Sequence, residues 1–177
     1  MMRSFLLIPV AFFLACTPAR QKAVDDITRL EQELRSDSSM VPDEAKAAAV
    51  LDAYGRFVST YPQDSMVPEY LFRAADLAQG IRHESMAVAF YDRIVREYGN
   101  SARAAAALFM EAFVLDYHMG QKDKAKEKYK EFLGRYPQHP LASSAKASVD
   151  QIETGMSDEE LVKLFEERQD SAATAGR

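Results

Sequence analysis

A single thiol, three imidazoles and one Ser-Ser-x-Lys stretch are the groups in this chain whose types could do chemistry. Cys16 is the only cysteine, so no disulfide can form within the chain. His83, His118 and His139 stand 35 and 21 residues apart, which fits no metal-ligand pattern. His83 and His139 fall in expected turns and His118 at a helix end, so all three read as exposed turn or groove residues. Ser143-Ser144-Ala145-Lys146 lies near a helix start without a base or an oxyanion partner, and reads as a capping stretch. The run from Lys122 to Lys130 alternates in sign and reads as a solvated helix face. No glycine-rich phosphate loop is present. The reading is therefore no enzyme, no cofactor, no metal and no small-molecule substrate. A net charge of −5 argues against a nucleic-acid partner.

The elements that would position any site repeat one phrase three times. It runs Val50, Tyr54, Phe57, Tyr61, then Ala87, Tyr91, Ile94, Tyr98, then Ala125, Tyr129, Phe132, Tyr136. Intervals of 4, 3 and 4 place the members of each set on one helix face. Pro62, Gly99 and Pro137 follow directly and stop each helix. The steps between copies, Tyr54 to Tyr91 and Tyr91 to Tyr129, are 37 and 38 residues. A period of that size signals stacked units that cannot bury their apolar faces alone. The recurring tyrosines are expected in the core rather than on a ligand.

A polar turn and a further helix follow each copy, expected at about 67–79, 102–119 and 141–153. Asp64, Ser65, Asn100 and Ser101 are the candidate N-caps, and Gly80, Gly120 and Gly155 the stops. Ahead of the first copy, Ala23, Ile27, Leu30 and Leu34 form one more helical face, and Pro42 is expected to open the next helix with Asp43 and Glu44 in its first turn. Ser157-x-x-Glu160 has the capping-box form, with Leu161, Leu164 and Phe165 behind it. The division expected is a leader 1–15, a tether 16–22, a helical domain 23–168 and a disordered tail 169–177.

Met1-Met2-Arg3 and the apolar run Phe5–Leu14 have the layout of a secretory signal peptide, too short to span a bilayer. Phe13-Leu14-Ala15-Cys16 resembles a bacterial lipobox. That resemblance implies a diacylglyceryl group on Cys16 and cleavage before it. Thr17 follows where Asp would mark inner-membrane retention, which points to the outer membrane, facing the periplasm.

Gly120-x4-Ala125-x3-Tyr129-x2-Phe132-x4-Pro137 resembles the second half of a tetratricopeptide repeat (TPR), and the Tyr-Pro ending resembles bacterial envelope TPR proteins of the BamD and CpoB (YbgF) types. The resemblance covers about residues 40–168. It implies an all-α, right-handed TPR-like superhelical solenoid of about three hairpins plus flanking helices. It implies envelope proteins or peptides as partners, held on the concave face by the first helix of each hairpin. Carried over from Phe72 and Phe109, that face falls on Tyr70, Arg73, Met110, Val114, Tyr117 and His118. The alternative for Tyr70, Met110 and Val114 is burial between helices. The function implied is a membrane-anchored scaffold, with outer-membrane protein assembly as the BamD-like role. The alternative is an accessory subunit of a cell-wall or Tol–Pal-linked complex.

Overall fold

The computed structural model describes residues 18–36 and 43–155, together with the single helical positions Glu160 and Lys163. The leader, Cys16, Pro42, the capping box at Ser157 and the tail lie outside the described residues. Among the described residues the regular structure is helical: α1 (Pro18–Arg35), α2 (Glu44–Thr60), α3 (Val67–Gly80), α4 (Glu84–Glu97), α5 (Ala104–Phe113), a π turn (Val114–His118), α6 (Lys122–Arg135) and α7 (Ala142–Thr154). Each helix packs on the next in the chain, so α1–α2, α3–α4 and α5–α6 are successive hairpins and α7 closes on α6. This is an all-α TPR-like solenoid.

The repeated phrase supplies its core. Val50, Tyr54 and Phe57, Ala87, Tyr91 and Ile94, and Ala125, Tyr129 and Phe132 are all buried on α2, α4 and α6. The final tyrosine of each copy, Tyr61, Tyr98 or Tyr136, is the helix cap, and its N–H reaches back to the buried residue four positions earlier. Rings from the first helices meet these rows edge-on. Phe72 lies 5.4 Å from Tyr91, and Phe109 lies 5.7 Å from Tyr129 and 5.6 Å from Phe132. Gly99 replaces the proline of the other copies, and a Cβ there would come within 2.9 Å of the Val95 carbonyl oxygen.

Several boundaries differ from the sequence expectation. The first helix begins at Pro18, not Ala23, so most of the expected tether is helix, with proline tolerated at the first helical position. Arg20 fixes that end by a bidentate ion pair to Asp64, at 2.5 and 3.0 Å, in the turn between α2 and α3. Asp43 is not in the first turn of α2; it is the N-cap and accepts from the Lys46 N–H. Asp64 serves as the partner of Arg20 and of the Met66 N–H, while Met66 and Arg103 occupy the cap positions of α3 and α5 without side-chain caps. Gly80 is the last residue of α3, and the left-handed residue beyond it is Arg82 (φ +63°).

The expected helix 102–119 is regular only to Phe113, and the π turn explains why the copies step by 37 and then 38. Phe72 to Phe109 is 37 residues, whereas Tyr91 to Tyr129 is 38. One extra residue therefore lies between Phe109 and Tyr129. The π turn takes it up, with Met119 N–H donating five residues back to the Val114 carbonyl at 3.0 Å.

Each core tyrosine must also place a hydroxyl. Tyr54 donates to Glu31 on α1 at 2.5 Å, and Tyr91 to Asp76 on α3 at 2.5 Å while accepting from Gln79 at 2.8 Å. Burial, reinforced by the acceptor carboxylates, pushes both phenols well above the ordinary tyrosine range. The Tyr129 hydroxyl is buried without a well-formed hydrogen bond; burial pushes it up to about 12, and only a weak contact with the Ser148 hydroxyl of α7 opposes the rise. Tyr91→Phe should thus lower stability by about 1–2 kcal/mol, whereas Tyr129→Phe should cost nothing or stabilise. Urea denaturation of the two variants side by side checks this ordering; equal losses would sink it.

Candidate binding surface

The first helices of the hairpins carry the surface on which partner contacts were expected. The structure divides the six candidate residues into two groups. Around α3, Tyr70 is buried, stacked on Tyr54 at 5.4 Å and edge-on to Phe57 at 4.8 Å. Arg73 is exposed on one side, but its fork is spent within the fold. Its Nη1 lies 3.0 Å from Glu31 and its Nε 2.8 Å from Glu69. Glu69 also holds Arg103 of the turn before α5 at 2.5 Å, and Arg103 covers the Phe72 ring at 4.6 Å. The hydrogen bond from Arg103 chiefly, then that from Arg73, holds the Glu69 carboxyl below the usual range. Arg73 is thus a brace between α1 and α3.

The second group lies along α5 and the π turn. Val114 is fully buried and Met110 half-buried against the core. Tyr117 and His118 are exposed, and Phe113 joins them, stacked on Tyr117 at 4.8 Å and edge-on to His118 at 5.7 Å. Tyr117, 53% exposed, is the one aromatic among the exposed large hydrophobic side chains of the described residues. The π turn sets this cluster, because the added residue turns Val114 and Leu115 into the core while Tyr117 and His118 emerge. His83 and His139 lie apart, the latter edge-on to Phe132 and accepting from the Leu141 N–H.

Sequence reasoning missed the acidic partners of this face. A cavity of about 340 Å³ opens between α1, α2 and α3, with Leu34, Val50, Tyr54 and Leu77 as apolar walls and Glu31, Arg35, Arg73 and Asp76 as polar ones. Asp76 stands at the exposed rim, and the partial burial of its carboxyl raises it against the opposing Tyr91 hydrogen bond. The available signal was a carboxylate at core spacing. Glu31 falls four residues after Ile27, and Asp76 four after Phe72. Among the described residues no group of three or more His, Cys, Asp or Glu gathers as a metal site would, and no helix is long and apolar enough to cross a membrane.

With the hairpins and this surface in place, comparison with known families adds one finding. Residues 106–139, most of α5 through α6 to His139, match the tetratricopeptide repeat model. The chain thus contains a tetratricopeptide repeat. It matches no curated protein.

On α5, Glu111 is 2% exposed, its Oε1 2.8 Å from Lys128 Nζ of α6, which also lies 3.5 Å from Asp92 of α4. Burial raises the Glu111 carboxyl, with the Lys128 hydrogen bond opposing. A carboxyl raised in the folded state favours folding when protonated, and that contribution is lost as pH rises above the ordinary glutamate range. Lys128→Met leaves the buried carboxylate without its cation and should cost about 3–5 kcal/mol at neutral pH. Part of that loss should return on acidification, because the folded carboxyl then takes up a proton at higher pH than the unfolded one. Melting temperatures across an acid-to-neutral pH series check the sign; a loss independent of pH overturns the assignment.

Proposed function

We propose that this protein is a membrane-anchored TPR adaptor of the bacterial envelope, lipidated at Cys16 and holding proteins or peptides on the face formed by α1, α3 and α5. The tetratricopeptide match over residues 106–139 carries the reading, because that stretch presents an exposed aromatic cluster rather than catalytic groups. Aromatic side chains dominate interface hot spots, and the thioether of Met110 re-packs around varied ligands. The resemblance to BamD-type lipoproteins supports outer-membrane protein assembly as the setting, and Cys16 after Phe13-Leu14-Ala15 supports the anchor.

A photo-crosslinking residue placed at Phe113 should capture defined envelope proteins in native membranes. Met110→Ser with Tyr117→Ala should reduce that capture several-fold while helicity stays unchanged. Arg73→Glu is unsuited to this comparison, because it would set a third carboxylate against Glu31 and Glu69. Undiminished capture by the folded double variant would place partners elsewhere. Separately, Cys16→Ala should abolish labelling by an alkyne fatty acid and leave uncleaved precursor; unchanged labelling refutes the anchor.

A further inference from the structure

The turns of the solenoid fall at two opposite ends of the helices, and one end is almost free of charge. The start of α1 and the turns 61–66, 98–103 and 136–141 share that end. Direct contacts run along it. Arg20 pairs with Asp64 across the first step. The Tyr98 hydroxyl donates to the Pro62 carbonyl at 3.0 Å across the second. At the third, a Cβ on Gly99 would stand 3.3 Å from Arg135 Nη2, so the end of α6 lies against the turn before α5. The charged residues of these three turns are Asp64, paired to Arg20, and Arg103, paired to Glu69. Their exposed positions are proline, glutamine, serine, asparagine and alanine, among them Pro62, Gln63, Asn100, Pro137 and Gln138. Tyr61, Tyr98 and Tyr136 stand half-buried beside them, one to each turn. At the opposite end Arg82, Lys122, Asp123 and Lys124 are exposed.

We propose that the uncharged end of the solenoid rests on the headgroup layer of a lipid bilayer. The occupant follows from where the chain outside the described residues arrives. Residues 1–17 join the fold at Pro18, beside the turn that carries Asp64, and Thr17 alone lies between Cys16 and that point. A lipid on Cys16 brings this end to the membrane and turns Arg82 and Lys122 away from it. The surface suits the contact. Turns without unpaired charge give up little solvation as they approach. Tyrosine, apolar in its ring and polar at its tip, is enriched where hydrocarbon meets water. With Asp64 neutralised by Arg20, the end offers no lone carboxylate for an anionic leaflet to repel. This assignment rests on the Cys16 anchor of the adaptor reading and adds the face that the anchor turns to the lipid. The rings of Phe113, Tyr117 and His118 then stand beyond the far end of α5, about 20 Å from the headgroups.

Fluorescence quenching on vesicles tests the orientation. Once Cys16 is acylated, a cysteine introduced elsewhere is the one free thiol in the chain. Gln63→Cys, Asn100→Cys and Gln138→Cys place a nitrobenzoxadiazole label at the uncharged end, and Ser85→Cys and Lys122→Cys place it at the other. Each acylated variant, checked by its helical spectrum, is reconstituted in phosphatidylethanolamine and phosphatidylglycerol with a nitroxide on a fraction of the headgroups. The first three labels should be quenched to a similar degree, and several-fold more than the last two. Equal quenching at both ends overturns the proposal, and so does quenching that fades from Gln63 to Gln138, which means a solenoid standing off on its tether. Labels at the uncharged end that are shielded from aqueous iodide yet not quenched by the headgroup nitroxide place a second copy of the chain there, and also overturn it. In these cases the anchor reading stands. A protein that carries no acyl group and does not sediment with vesicles removes the anchor reading, and the proposal with it.

Discussion

A phenol ring can be buried for its apolar area only at the cost of its hydroxyl, which must find a partner or lose its hydrogen bond to water. Two of the three hairpins meet that constraint through the first helix of the pair. In the first two, a carboxylate from that helix reaches over the ring of the second helix and accepts the hydroxyl, Glu31 for Tyr54 and Asp76 for Tyr91. Glu31 draws in Arg73, which draws in Glu69, which draws in Arg103, so the charged array on the solenoid surface grows outward from core tyrosines. Any surface these helices offer is shaped by what the core required first.

The third hairpin offers no such acceptor. Counting 37 or 38 residues on from Asp76 leads to Phe113 or Val114, neither of which can accept a hydrogen bond through its side chain. The Tyr129 hydroxyl stays unpaired, and the buried Glu111 carboxylate of the same hairpin is only half satisfied, its Oε1 held by Lys128 and its Oε2 without a hydrogen bond. The π turn in that hairpin trades a regular helix end for a different exit direction, and the exposed ring cluster is the result. Two hairpins therefore present charge and one presents aromatic area.

The helices and their buried faces could be read from the sequence because spacing alone determines which residues share a face, and Tyr54, Tyr91 and Tyr129 all lie where that spacing puts them. The N-terminal boundary could not, since Pro18 suits either a tether or a first helical turn and the deciding contact, Arg20 to Asp64, spans 44 residues. The role of Arg73 was hidden for the same reason: its carboxylate on α1 is 42 residues away. The left-handed turn at Arg82 carried no signal, because glycine is the usual residue there and Gly80 stood two positions earlier. Of the candidate contact residues, Tyr70 and Val114 went to the core, the outcome that their apolar bulk on a first helix also allowed.

The start of α1 would bear on how the molecule stands at a surface if Cys16 carries a lipid. Pro18 begins a helix that Arg20 clamps to the turn carrying Asp64, with the guanidinium also over the Phe57 ring at 5.9 Å. One residue, Thr17, separates Cys16 from Pro18, and two Cα–Cα steps reach at most about 7 Å. An acyl group on Cys16 would then hold the whole array like a bracket bolted to a wall rather than a float on a line. Its pose relative to the lipid headgroups would be set by the axis of one helix, and the proteins it could meet would be those within one solenoid's length of the bilayer.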